Sequence, residues 1–560
     1  MTGHATPVAI VGAGPVGMTA ALCLARHGLP SIILEAEERL LAEGSRSICV
    51  QKDVLDIFDR VGCGQVMADH GVSWTVGRTY YQDVELFQIR FPEVAGDAFP
   101  PFINLPQAAQ EEYLLERVRQ EPLIEVRWSH RVEWVSQDSH GVRLIAATPV
   151  GSVELRAPYA IGCDGAHSTV RKLLAVDFPG HSFKDRFLIA DIRARLPFPN
   201  ERRFFFDPPF NPGRQVLVHP QPDSVWRIDW QIPADVDVER ERATGRLDRR
   251  IRSVVGNVDY EIVWLSTYRF HQRVADTFRV GRVFLAGDAA HLMSPFGARG
   301  LNSGVADAEN LAWKLWLVLA GRAPVELLDT YDLERRAAAR ENVAITNATM
   351  RFMVPPTGAH RLLRSAVLRG SLHVPALRRW VNSGKLSTPF VYASSPIVVQ
   401  ERWLAPGGAL RPGAIAPDAP CRLVGDGEMA APGAVRRLRQ IFGDAFVALY
   451  LPASPADGVA FAERALKRLP RAPLELYVVT APDDGLLALP EAARVLVDTE
   501  GAMAATYGAR SGALHLVRPD GHLAACRQGP DPADLPDLVD LAAGARLATV
   551  GAKHLKVHDG

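Results

Sequence analysis

The apolar positions of the chain fall into two kinds of run. Residues 8–11 (VAIV), 31–34 (SIIL) and 283–287 (VFLAG) are short and almost continuously apolar. Such runs predict strands of a parallel sheet covered on both faces. A glycine turn and a helix through Arg26 separate the first two, so residues 8–34 read as a β-α-β unit. Residues 75–103 and 180–275 instead alternate aromatic and polar residues and are broken by prolines, which predicts antiparallel strands with two unlike faces. Helices are expected over 107–120, from about 302 to 320, and across 324–353. Further strands are expected at 124–128, 131–136, and near 142–146, 152–156 and 158–163. Prolines and glycines interrupt residues 354–420. Strands and helices alternate again from about 435 to 545 (FVALYL, LELYVVT, RVLVDT, ALHLVRPDGHLAA), which suggests a separate small α/β domain.

Composition narrows the class. A chain of 560 residues is too long for one core. With 48% hydrophobic and 22% charged residues it reads as soluble and globular rather than disordered. Lys plus Arg and Asp plus Glu balance at 63 each, so no excess charge points to nucleic acid or to an acidic membrane surface. The six cysteines form no CxxC pair, so neither a metal site nor a disulfide framework is expected, and a reducing cytoplasm is the simpler location. The first apolar run is broken by glycines and Pro15 and lacks a preceding basic segment, unlike a signal peptide. The stretch LAWKLWLVLAG contains Lys314 and is too short to span a bilayer, so no membrane partner is expected.

Three motifs carry the chemistry. Gly12, Gly14 and Gly17 form GxGxxG between a strand and a helix. The first glycine permits the tight turn, the second lets backbone approach a pyrophosphate, and the third lets the helix pack on the strand. Glu35 closes the second strand, placed to accept hydrogen bonds from ribose hydroxyls and to repel a 2′-phosphate, which suits FAD or NAD over NADP. The second motif is Gly162-Cys163-Asp164-Gly165-Ala166-His167-Ser168, after a strand. The third is Gly287-Asp288 after another strand, followed by Pro295-Phe296-Gly297-Ala298-Arg299-Gly300-Leu301-Asn302. Asp288 ends a buried strand, where an unpaired carboxylate is costly. It serves either a ligand hydroxyl or as a helix cap. Asp164 can equally be a turn residue before Gly165. A single GxGxxG means that no second dinucleotide domain is apparent.

These motifs, in this order, resemble the single-component flavoprotein aromatic hydroxylases, in particular the 3-(3-hydroxyphenyl)propionate hydroxylase and phenol hydroxylase branch. The run 307–339 (DAENLAWKLWLVLAGRAPVELLDTYDLERRAAA) carries the resemblance nearly throughout. The resemblance implies an α/β fold: a Rossmann-like FAD-binding domain interleaved with an antiparallel-sheet substrate domain, plus a C-terminal thioredoxin-like α/β domain. On that basis residues 1–74, 104–179 and 276–353 form the discontinuous FAD-binding domain, 75–103 and 180–275 the substrate domain, 354–420 a helical and loop connector, and 421–545 the thioredoxin-like domain without CxxC. For that last domain packing or dimerisation is expected, and a homodimer is left open.

The resemblance also implies roles. Asp288 would bind the ribitol chain of FAD, Asp164 and Gly165 would contact FAD and NAD(P)H, Arg46 would lie near the pyrophosphate, and Gln107 would contact the FAD. Gly287, Pro295 and the loop Gly297, Gly300, Leu301 and Asn302 would sit against the isoalloxazine ring. The implied reaction consumes NADH or NADPH and O2, passes through a C4a-hydroperoxyflavin, and hydroxylates a small phenolic substrate. Arg299 departs from the family's usual Gly-Gly-Gln-Gly pattern. It could tune reduced flavin, meet an anionic substrate, or face solvent. A base favouring the phenolate is expected. His219, His181, His271, Tyr268 and Arg214 are equal candidates, and His219 is carried forward with Pro295 and Arg299 as the catalytic set. Two other readings compete: a flavin-dependent halogenase, from the partial likeness of Trp226–Pro233 to WxWxIP with Ile228 in place of a tryptophan, and a non-catalytic FAD-binding protein.

Overall fold

Val8–Val11 is buried at all four positions because it lies inside a six-stranded sheet. In order across that sheet run Arg279–Val280, Val283–Leu285, Ala160–Gly162, Val8–Val11, Ser31–Leu34 and Ile124–Arg127. All neighbours are parallel except the first pair. The continuous apolar runs are thus strands covered on both faces. The computed structural model describes residues 6–40, 47–91, 99–355, 357–381, 388–399, 410–424, 436–485, 487–508 and 512–547. Arg46 lies outside the described residues.

The alternating segments build an eight-stranded sheet. Its order is His291–Leu292, Glu261–Val274, Gly180–Arg193, Val225–Ile232, Gln215–Pro220, Arg202–Phe206, Val76–Tyr81 and Val84–Arg90. Every pairing is antiparallel except Arg202–Phe206 with Val76–Tyr81, which are parallel. Those two strands lie far apart in sequence, so no hairpin dictates their direction.

Period-2 alternation gives this sheet two distinct faces. Leu188, Ala190, Ile192, Val216, Val218, Trp226, Ile228, Trp230 and Ile232 form one cluster with Leu247, Ile251 and Val255 of the helix Arg246–Val255. The intervening residues, among them Phe187, Ile189, Leu217, His219, Arg227 and Asp229, face the opposite way and line a cavity. Behind that cavity Met350, Met353, Val367 and Leu368 close on Phe204, Phe206 and Phe270, so the connector helix Gly358–His373 buttresses its aromatic wall.

A seven-stranded mixed sheet completes the chain, with Phe446–Leu451, Leu474–Thr480 and Ala493–Val497 parallel, Ala513–Val517 antiparallel to Phe446–Leu451, and Leu523–Gln528 antiparallel to Ala513–Val517. All six cysteines are buried free thiols. Among the described residues no helix is long and apolar enough to cross a membrane, and no group of His, Cys, Asp and Glu could hold a metal ion.

Candidate functional site

Close backbone contacts bring the three motifs together. Gly12 has φ of 106°, and a Cβ there would stand 2.6 Å from the Cys163 carbonyl oxygen. Only glycine accepts both the left-handed backbone and the contact. A Cβ on Gly17 would stand 2.0 Å from the Gly12 carbonyl oxygen, so the helix Pro15–Arg26 rides directly on the turn. Val16 then packs against Gly287, and a Cβ on Gly304 would lie 2.6 Å from Val16 Cγ2 and 3.0 Å from Gly287 Cα. Gly304 belongs to the helix Gly300–Leu319, so one side chain, Val16, registers the first motif against the third.

Between these motifs and the eight-stranded sheet lies a cavity of about 370 Å³. Two helix N-termini open onto it: Pro15–Arg26, preceded by Gly14, and Gly300–Leu319, preceded by Arg299. Neither has a side-chain cap, so first-turn N–H groups and partial positive charge face the cavity. A Cβ on Gly14, Gly165 or Gly300 would meet nothing within 4 Å, so each glycine leaves open space beside the backbone. An anionic pyrophosphate and a flavin ring whose reduced form is anionic fit this arrangement.

The sequence-predicted residues divide in this site. Gly14, Gln107, Gly165, Asp288, Pro295, Gly297, Arg299, Gly300, Leu301 and His219 line the cavity. Asp288 stands in the short 3-10 segment Gly287–Ala289, which no side chain caps. Gln107 Nε2 donates to Glu111 Oε1 at 2.8 Å, and its Oε1 accepts from Ser47 N at 3.4 Å. Glu35 Oε2 accepts from Ala13 N at 2.7 Å and its Oε1 from Glu37 N at 3.0 Å, so the carboxylate also holds the glycine turn in shape.

Asp164 and Asn302 also hold the local structure together. Ser168 Oγ, Thr169 N and Val170 N donate to Asp164 at 2.5, 2.6 and 3.0 Å, which makes its carboxylate an anchor for the helix Thr169–Leu173. Asn302 Oδ1 accepts from Gln51 N at 3.0 Å, while its Nδ2 donates to the carbonyls of Cys49 and Ala298 at 2.9 and 2.6 Å. It ties the strand Cys49–Gln51 to the Gly297–Gly300 loop.

Arg299 does not reach solvent. It is 3% exposed, donates to Asn342 Oδ1, and burial lowers its pKa. The long helix Asp329–Met353 carries Asn342 beneath the loop, a contact that sequence spacing does not reveal. Ala298 beside it holds φ of 54°, a left-handed conformation that costs a non-glycine residue about 1 kcal/mol.

Of the base candidates, Tyr268 and His219 line the cavity. His271 Nδ1 shares a hydrogen bond of 2.7 Å with Ser182 Oγ, His181 is exposed, and Arg214 stands 3.7 Å from Asp185; none of the three is part of the lining. Burial, with Arg202 and Arg227 adding to it, holds His219 well below the usual histidine range, so it is neutral at physiological pH.

Residues that the sequence reading passed over complete the site. Asp229 and Arg202 line the cavity beside His219. Burial pushes Asp229 up to about 7 and Arg202 down to about 10. The signal was present in WRIDWQI, where charges alternate with large apolar residues, but the tryptophans drew the comparison instead. Asp307 was also passed over. Fully buried, it accepts from Gly287 N at 3.0 Å and Arg335 Nε at 2.6 Å and pairs with His291 Nε2 at 2.8 Å, which pins the turn that presents Asp288.

Comparison with known proteins agrees with this geometry. Residues 5–346 match the family described as FAD binding domain. The chain is 32% identical over 386 residues to a 3-(3-hydroxy-phenyl)propionate/3-hydroxycinnamic acid hydroxylase of Mycolicibacterium smegmatis, covering 67% of this chain. It spans 66% of that relative's length, just under two thirds. A para-nitrophenol 4-monooxygenase of Pseudomonas sp. (strain WBC-3) is 31% identical over 369 residues, 65% of this chain and 91% of the relative. The fold matches the crystal structure of the flavin-dependent monooxygenase PieE in complex with FAD and substrate, with a TM-score of 0.77 and 23% identity over 96% of this chain and 98% of that one. The chain therefore belongs to the FAD-binding-domain family of the flavoprotein aromatic hydroxylases.

Proposed function

We propose that the protein is a monooxygenase that uses NAD(P)H and O2 to hydroxylate a small phenolic substrate. The observation that carries this reading is the cavity running from the glycine motifs to an aromatic wall on the eight-stranded sheet. Phe187, Phe270 and Phe296 form that wall, with ring centroids 4.5 to 5.9 Å apart. Their faces and edges suit a flat aromatic ring and keep water out. FAD, when bound, supplies the redox chemistry that links NAD(P)H to O2. Gly14 and the first turn of its helix would hold the pyrophosphate. Asp288 would accept from ribityl hydroxyls, and Pro295 with Gly297–Leu301 would support the ring. Arg299, fixed by Asn342, would add positive charge beneath it. Among the catalytic set, Pro295 and Arg299 act by position, and neutral His219 acts as a hydrogen-bonding partner.

Separate sheets support the division into an FAD-binding domain, a substrate domain and a C-terminal thioredoxin-like domain. A cytoplasmic location and a homodimer complete the reading.

The test is NADH and NADPH oxidation by the purified flavoprotein with a panel of phenols, while oxygen and peroxide are followed. Strong stimulation by one phenol with little peroxide is the expected result. Absence of flavin, or no stimulation by any aromatic compound, overturns the reading.

A further inference from the structure

We propose that Asp229 accepts the proton of the substrate's phenolic hydroxyl. The proposal rests on the hydroxylase reading and names the group within that site which readies the ring for attack.

Strand alternation puts Asp229 on the cavity face, directly across from Ile189 on one neighbouring strand and Leu217 on the other. Both neighbours are apolar, so an apolar residue would seal this position without loss. A carboxylate here instead leaves Oδ1 buried with no hydrogen-bond partner among the described residues, and its side chain is 18% exposed. A buried acceptor without a hydrogen bond is costly, and a structural role would avoid that cost by pairing it.

The surrounding charges do not pair it either. Arg227 is committed to Asp191, donating through Nε and a terminal nitrogen at 2.8 and 2.7 Å. His219 Nε2 stands 3.9 Å from Asp229 Oδ2, and Arg227, with Arg202 adding less, favours the ionised form without removing the effect of burial. Tyr268 and Glu111 line the same cavity, and Cys49 borders Arg202. Against this set, burial and the Asp191 charge hold the Asp229 carboxyl at about 7, poised to give and take a proton at neutral pH. His219, kept neutral by burial and two arginines, is too weak a base for the task.

The step balances simply. The phenolic O–H bond breaks, the proton passes to the Asp229 carboxylate, and the electron pair stays on the ring oxygen. The resulting phenolate is a stronger carbon nucleophile than the neutral phenol. The proton returns to solvent when product leaves, so the carboxylate is regenerated.

The experiment uses the holoenzyme and the phenol that most stimulates NAD(P)H oxidation by the wild type. In Asp229→Asn, coupled hydroxylation is expected to fall about 100-fold or more, with peroxide replacing product, while FAD content is retained. The wild-type rate of product formation should show an acid limb near 7. With a fluorinated analogue of the same phenol, already ionised at the assay pH, that limb should vanish and Asp229→Asn should recover most of the wild-type rate. A variant that stays coupled at the wild-type rate overturns the assignment, as does an acid limb that persists unchanged with the ionised analogue. If the variant does not load FAD, the two wild-type profiles decide alone. If no phenol stimulates the wild type, the hydroxylase reading falls first and this assignment with it. Stimulation in the wild type with an indifferent Asp229→Asn sinks only the assignment.

Discussion

Two clusters of buried charge in this protein have opposite characters. In the first, Lys314 and Glu334, from the helices Gly300–Leu319 and Asp329–Met353, meet Arg518 and Asp520 from the turn between the last two strands. Arg518 donates to Glu334 Oε1 and Oε2 at 2.6 and 2.9 Å, and Lys314 Nζ donates to Glu334 Oε2 at 2.8 Å. Asn310, Ser395 and Trp313 supply further hydrogen bonds to the two carboxylates. Two cations face two anions, and none of the four side chains is more than 2% exposed. Burial opposes ionisation, but Arg518 and Lys314 overcome it and hold Glu334 below its usual range. The second cluster, Asp229 with His219 and Arg202, faces the cavity. There burial wins, and the carboxyl is displaced upward. Buried charge that is fully paired ties distant segments of the chain together; buried charge left incompletely paired beside a cavity is available to a ligand.

The comparison can be broken most strongly at Arg518. Arg518→Met leaves Glu334 and Asp520 with Lys314 alone to balance them, and should cost about 3–5 kcal/mol in chemical denaturation, because an uncompensated charge stays buried. Asp229→Asn should do the reverse. Its folded value lies above the ordinary 3.8, so the folded chain holds a proton that the unfolded chain has released. The stability contributed by Asp229 is present below 3.8 and lost as pH rises through about 7. The asparagine variant should therefore be more stable than wild type at pH about 8, by roughly 1–4 kcal/mol, with the gain vanishing in acid. Glu334 carries the opposite sign: its contribution is present above 4.5 and lost as pH falls through its lower folded value. Unfolding curves across pH should separate the two clusters.

Smaller effects test what holds the cofactor side. Gly304→Ala would press on Val16 and Gly287, and should cost about 1–3 kcal/mol and loosen FAD retention, read by flavin release on dilution. Ala298→Gly relieves a left-handed alanine and should change stability by about 1 kcal/mol or less, while slowing coupled turnover if the loop's rigidity matters.

Much of the cofactor side was legible because its signals are local. A glycine spacing, a continuous apolar strand and an acid at the end of the next strand each lie within one stretch of chain, and Gly12, Gly14 and Glu35 needed no partner from elsewhere to be recognised. The local bonds of Asp164 to Ser168, Thr169 and Val170, and those of Asn302 to Gln51, Cys49 and Ala298, are visible only in the folded distances. The search for a base favoured histidines because their ordinary pKa is near neutral. Asp229 was passed over because its value is set by surroundings drawn from three strands.

The sequence by itself determined the β-α-β unit, the glycine turns and the alternation that gives the substrate sheet two faces, since these follow from backbone sterics and the periods of strand and helix. Only the tertiary structure decided which face meets the cavity, that Arg299 is turned inward to Asn342, and that one set of buried charges is paired while another is left displaced. Those outcomes depend on burial and on charges contributed by segments far apart in the chain, and a carboxyl's proton affinity follows its neighbours in space rather than its neighbours in sequence.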